Sequence, residues 1–168
     1  MVQNPFRQQP EVDGMKNKFA YEQKLNDGSR LFSERPCTIP DGHCLLITPG
    51  GTEYLGTFVN GKKDGEFLIK QKDAEIHCSF QNDSQVSFGT ISYRNGDFYE
   101  GRMEDCKPNG MGILKFHDGI EFRGDFENGL LDGLDCEIHY PNGDVYKGHF
   151  SKGVRYTDGT YTKGSQNN

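Results

Sequence analysis

Histidine and cysteine stand side by side twice in this chain, as His43-Cys44 and His77-Cys78, and Cys136-x-x-His139 offers the pair again. Imidazole and thiolate are the usual ligands of zinc, which takes four of them in a tetrahedron. Both spacings fail if the segments are strands, because adjacent residues point to opposite faces and so do residues three apart. No metal and no cofactor are expected. Hydrolytic chemistry fares no better. Ser33, Ser84 and Ser87 lack the Gly-x-Ser-x-Gly setting of a nucleophile elbow. Carboxylates near a histidine, such as Glu104 and Asp118 around His117, are the ordinary company of a charged surface, and no catalytic residues are expected.

Lys62, Lys63, Lys70, Lys72 and Lys115 could meet lipid phosphates, but Asp64, Asp73 and Glu75 sit among them. A net charge of −6 without a basic block opposes nucleic-acid binding and gives no help toward anionic lipid. Five cysteines, an odd number without close pairs, fit reduced thiols. Residues 1–7 lack the apolar stretch of a signal peptide, and no apolar run is long enough for a transmembrane helix. A cytoplasmic protein is expected.

These side chains hang on a periodic frame. Gly28, Gly51, Gly96, Gly119 and Gly143 each follow Asp, Asn or Gly, at steps of 23, 45, 23 and 24 residues. Asp73-Ala74 marks the place skipped by the double step. Glycine makes up 22 of 168 residues, about twice the usual ~7% share. A fixed period of this size is the mark of a repeat architecture.

Within the unit 99–121, Tyr99-x-Gly101-x-Met103 leads through a turn at Cys106 to Gly110-x-Gly112-x-Leu114-x-Phe116 and closes on Asp118-Gly119. The unit 122–145 repeats this from Phe122-x-Gly124-x-Phe126 to Asn142-Gly143, with one residue inserted after Gly133. The unit 54–75 opens on Tyr54-x-Gly56-x-Phe58. A worn copy fills 76–98, a degenerate one 31–53, and Tyr146-x-Gly148-x-Phe150 starts a partial unit, 146–164. Apolar residues alternate within each half, as on a strand with one buried face. Each unit is thus a β-hairpin. The chain is expected to be all-β, an elongated solenoid of antiparallel hairpins in one twisted sheet of about twelve strands, over residues 19–164. Glycines at positions 3, 12 and 14 should make room for rings of adjoining strands. Cys44, Cys78, Cys106 and Cys136 fall on glycine positions and read as small apolar fillers. Residues 1–18 read as a flexible tail and 165–168 as a disordered one.

The pattern Tyr-x-Gly-x-Phe-x-x-Gly, ending in Asp/Asn-Gly, resembles the MORN (membrane occupation and recognition nexus) family. Phe67, Cys78, Asp83 and Ser87 depart from it. The resemblance implies a non-enzymatic scaffold or adaptor that binds protein partners in a cytoskeletal or ciliary assembly. The alternative it implies is a peripheral membrane tether binding phospholipid headgroups.

The residues add a surface to that reading. Leu45, Leu68 and Ile113 at position 15, with Leu55 and Val59 at positions 2 and 6, lie on the face away from the glycines. They form either a groove for a partner peptide or helix, or a patch covered by the N-terminal tail. Tyr54, Tyr99 and Tyr146, and Tyr93, Phe116 and Tyr140, read as internal ladders, the last three offering ring edges as further anchors. Open sheet edges also admit a homo-oligomer.

Overall fold

The computed structural model describes residue 16 and residues 18–164. The tail expectations for 1–18, save Lys16 and Lys18, and for 165–168 fall outside the described residues. Among the described residues fifteen strands follow one another: β1 Tyr21–Lys24, β2 Arg30–Ser33, β3 Gly42–Ile47, β4 Glu53–Val59, β5 Lys62–Lys70, β6 Ala74–Gln81, β7 Ser84–Tyr93 and β8 Phe98–Glu104. Then come β9 Lys107–Lys115, β10 Glu121–Glu127, β11 Leu130–Leu131, β12 Gly133–His139, β13 Val145–Ser151, β14 Val154–Arg155 and β15 Thr160–Thr162.

All fifteen join one antiparallel sheet in sequence order. β11 and β12 share the partner β10, and β14 and β15 share the partner β13, so each couple completes one interrupted strand. The residue inserted after Gly133 is absorbed there: the register shifts between Gly133 and Cys136, and Leu134 is pushed out to 80% exposure. At ~4.8 Å per strand the ribbon runs to roughly 60 Å.

Two kinds of turn build the two long edges. At one edge Asn60-Gly61, Asn82-Asp83, Asp105-Cys106, Asn128-Gly129 and Lys152-Gly153 have positive φ at both residues. That is the type I′ geometry whose twist suits a two-residue hairpin. At the other edge the periodic glycines close wider turns, as where the Gly119 N–H donates to the Phe116 carbonyl at 3.0 Å with φ +91°. The skipped place has a tighter turn: the Gln71 N–H donates to the Ala74 carbonyl at 2.8 Å, and Lys72-Asp73 needs no left-handed residue.

The core lies on the glycine-bearing face. Ile69, Ile76, Tyr99, Met103, Phe126, Leu131, Ile138, Tyr146 and Phe150 form one continuous cluster, with Tyr54 and Phe122 packed against it. The bare glycines decide which rings meet. Tyr99 of β8 and Phe126 of β10 touch edge to face at 5.3 Å although β9 runs between them. Gly110 and Gly112 of β9 leave that gap open. Phe67, standing where a glycine was expected, fills the gap itself, at 5.1 Å from Phe58 and 5.4 Å from Phe80.

The ring over Gly101 is not an adjoining strand's, as the spacing suggested, but its own. Tyr99 folds back along β8, so a Cβ at Gly101 would lie 2.6 Å from its hydroxyl oxygen, and a Cβ at Gly112 would also strike the ring. The Tyr99 hydroxyl donates to the Arg102 carbonyl at 2.6 Å, which fixes the fold-back, and Tyr146 does the same toward Tyr156 at 2.8 Å. Gly148 is covered by Tyr146 in this way, whereas Gly56 faces the Phe67 ring of the adjoining strand at 2.7 Å.

Candidate functional site

The other face carries the candidate surface. Strand register aligns Phe32, Leu45, Leu55 and Leu68 as direct cross-strand neighbours on β2 to β5. The row then turns polar through His77, Thr90 and Glu100 before reaching Ile113. The structure therefore brings Leu45, Leu55 and Leu68 together and leaves Ile113 apart. Val59 lies on the same face beside the Asn60-Gly61 turn, 49% exposed.

Exposure changes along this row. Phe32 and Leu45 are 5% and 2% exposed, yet neither belongs to the main core cluster, so something on the outer face covers them. Part of that cover is visible: the Phe19 ring lies 6.0 Å from the His43 ring, beside Leu45 on β3. Farther along, Leu55 and Leu68 are half-buried and Phe88 is 57% exposed. Leu68, His77, Ser79 and Phe88 border a shallow depression of about 440 Å³. Phe32 and Phe88 were not singled out from the sequence, and Phe19 only as the start of a first capping strand in register. The alternation beside Gly89 would have placed Phe88 on this face, but the worn unit around it hid the signal.

Tyr93, Phe116 and Tyr140 are half-buried on the core side, near the glycine-turn edge. Burial pushes the Tyr93 phenol up. Phe116 packs on Phe122 at 4.8 Å and Tyr140 lies 6.1 Å from Tyr161. They share no surface with the leucine row.

The histidines and cysteines separate as strand alternation requires. His43 and His77 are exposed while Cys44 and Cys78 are buried, and His139 turns to Glu137 at 2.7 Å. Among the described residues no group of three or more His, Cys, Asp or Glu could hold a metal ion. Cys44, Cys78 and Cys136 each oppose a glycine, respectively Gly56, Gly89 and Gly148. Burial pushes the Cys44 and Cys136 thiols up.

His117 pairs with neither Glu104 nor Asp118. Its backbone N–H and its Nδ1 both meet Asp97 Oδ1, at 2.9 and 3.0 Å. The Ser33 hydroxyl donates to the Arg35 carbonyl at 2.7 Å. The lysines are largely answered by carboxylates: Lys63 by Asp83 at 3.4 Å, Lys70 by Glu75 at 3.0 Å, and Lys115 by Glu121 at 3.9 Å.

The MORN-repeat family model matches residues 54–66 and 99–121. The chain carries MORN repeats. The first match stops one residue short of Phe67, the first ring in a glycine place. A stretch of 72 residues, 40% of this chain, is 40% identical to Alsin of Rattus norvegicus, Mus musculus and Homo sapiens. It spans 4% of the length of those relatives. The two matched stretches lie on β4 with the start of β5, and on β8 and β9 with the turn leading into β10.

Proposed function

We propose that this MORN ribbon is a non-enzymatic scaffold that holds a protein partner on its outer face, over Leu55, Leu68 and Phe88. The cross-strand leucine row carries the proposal. A soluble sheet face is normally polar, and three leucines in register ending at a shallow depression form a strip that an amphipathic helix can bury. Leu45 forms the covered end of that strip and Leu55 to Phe88 its open end. Ring edges of Tyr93, Phe116 and Tyr140 on the other side are secondary anchors. The cytoskeletal or ciliary setting is supported by the family resemblance, and the cytoplasmic one by five cysteines that read as reduced thiols.

Charge favours a protein over a membrane as partner. Lys63, Lys70 and Lys115 already face carboxylates, and the chain's net charge is −6. Neutralised lysines give little attraction to anionic headgroups. The decisive experiment is quantitative affinity capture from the source cell with the natural chain and with Leu55→Glu/Leu68→Glu. The principal partner should disappear with the double variant while its melting temperature stays near the natural value. A folded variant that keeps every partner would refute the reading.

A further inference from the structure

Large apolar side chains stand in the open at one place of successive repeats. Phe88, Met111 and Leu134 follow one another at steps of 23 residues, and Tyr156 comes after them. Each is at least half exposed. Apolar residues exposed singly need no explanation, whereas an aligned set marks a contact surface.

Strand register puts them on one line of the outer face. Phe88 of β7 pairs with Arg102 of β8, next to the pair Gly89 and Gly101 on the core side. Met111 of β9 pairs with Asp125 of β10, next to Gly112 and Gly124. Gly133 pairs with Phe150 and Cys136 with Gly148, so Leu134 and Asp135 together stand against His149 of β13. The Tyr156 N–H donates to the His149 carbonyl at 2.9 Å, and the two rings stack at 4.1 Å. Phe88 borders the same depression as Leu68, so the line continues the leucine strip toward the last hairpin.

Spacing and charge identify what fits. Anchors recur every second strand, about 9.6 Å apart, with the intervening strand's residue about 4.8 Å from each. An α-helix lying along the line presents every seventh residue at about 10.5 Å, and residues three or four along fall midway on the same face. A β-strand mismatches, since its same-face residues recur at about 6.6 Å. A polyproline II helix repeats at about 9.3 Å but turns its intervening residues away. The midway groups here are charged: Arg102 between Phe88 and Met111, and Asp125 between Met111 and Leu134. Both are exposed. Neither has an ion-pair partner among the described residues, unlike Lys63, Lys70 and Lys115.

We infer that the partner on the outer face is an amphipathic helix lying lengthwise along the ribbon, one heptad per repeat. Its apolar residues sit on Phe88, Met111, Leu134 and Tyr156, an acidic residue meets Arg102, and a basic residue meets Asp125. The inference rests on the protein-partner reading above and gives that partner its shape and charge pattern.

The test titrates the full chain with synthetic peptides, read by fluorescence anisotropy. The matched peptide is stapled into a helix, with leucine at every seventh residue, glutamate midway between the first two leucines and lysine midway between the next two. It should bind. Peptides with leucine at every second residue, or with leucine at every third residue in a proline-rich chain, should bind at least about tenfold more weakly. Met111→Glu should weaken the matched peptide by a similar factor while its melting temperature stays near the natural value. Leu134→Glu repeats that measurement if Met111→Glu melts early. A helical peptide with glutamate at both midway places should prefer the Asp125→Arg chain to the natural one. No binding by the matched peptide, equal binding of all three leucine spacings, or indifference to both glutamate variants would overturn the inference. The scaffold reading is judged apart from it. A natural partner lost with Leu55→Glu/Leu68→Glu but kept with Met111→Glu would leave that reading standing and remove this one.

Discussion

The Asp132 carboxylate accepts the backbone N–H of Lys152 at 2.9 Å, reaching from one hairpin to the turn of the next. The device recurs along the same edge: Asp41 takes the Asn60 N–H at 3.2 Å, Asp64 that of Asn82 at 3.2 Å, and Gln85 that of Cys106 at 2.9 Å. At the intervening turn the Gly129 N–H donates to the Pro108 carbonyl at 2.9 Å, a backbone bond that Gly61, Asp83 and Gly153 also make to Pro40, Lys63 and Leu131. Across the ribbon Asp97 serves His117 and Asp144 serves Gly164. Each repeat is pinned to its successor at the turn. Asp132→Ala should therefore lose about 1 kcal/mol of stability, the usual net worth of one hydrogen bond. Urea titration checks this, with exposed Asp135→Ala as a control that moves little.

Gly124 combines two constraints. Its φ is +147°, and a Cβ there would meet the Cys136 sulfur at 2.7 Å and the Cys136 Cα and Cβ at 3.1 Å. Gly124→Val should cost at least about 2 kcal/mol through overpacking alone, with the backbone conformation adding to it. Asp125→Ala, one residue along and facing solvent, should change stability by less than about 0.5 kcal/mol. Paired thermal melts decide between the two, and equal losses would mean that the in-and-out register of β10 is wrong.

Acid should loosen the turns. Burial raises the Asp97 carboxyl, but the His117 backbone and ring and the Asn95 amide outweigh it and hold the group below its ordinary range. The Lys63 backbone N–H chiefly lowers Asp83, and Arg123 lowers Glu121. A folded value below the unfolded one means that the unfolded chain binds more protons on acidification. The stabilisation is complete above the unfolded carboxyl range, about pH 4 to 5, and fades as pH falls through the folded values. Melting temperatures should hold between neutrality and about pH 5, then drop. Asp97→Asn should melt lower at neutral pH and fall less steeply in acid.

Partner and membrane binding should respond to different changes. Capture through the leucine strip should survive moderate salt and vanish with Leu55→Glu/Leu68→Glu, because a few buried anchors carry most interface energy. Sedimentation with vesicles of neutral lipid containing a phosphoinositide should be weak. If the chain pellets strongly, loses binding in salt, and depends on Lys62, Lys63 and Lys70, it is a tether and the scaffold reading fails.

The glycine period and the two-residue alternation made the hairpins, their order and the buried face legible, because both follow from backbone requirements repeated in every unit. Single interactions between units left weaker marks. Asp41, Asp64 and Asp132 looked like solvated turn charges, since the sequence does not tell a carboxylate that bridges to the next turn from one that merely faces water. Leu45, Leu55 and Leu68 were assigned the correct face, but their alignment into a row needed the strand register. The cover near Phe19 had no periodic signal.

The strictly consecutive strand order has a mechanical consequence. Strands lie across the ribbon, so the ladder hydrogen bonds run along its length, and tension applied at the two ends loads them one pair at a time. Such a ribbon peels from its ends instead of resisting as a block, giving way hairpin by hairpin at modest force, with the turn pins as small catches between steps. Under load it would act as a stepwise extensible strap whose middle repeats keep their shape while the outer ones pay out chain.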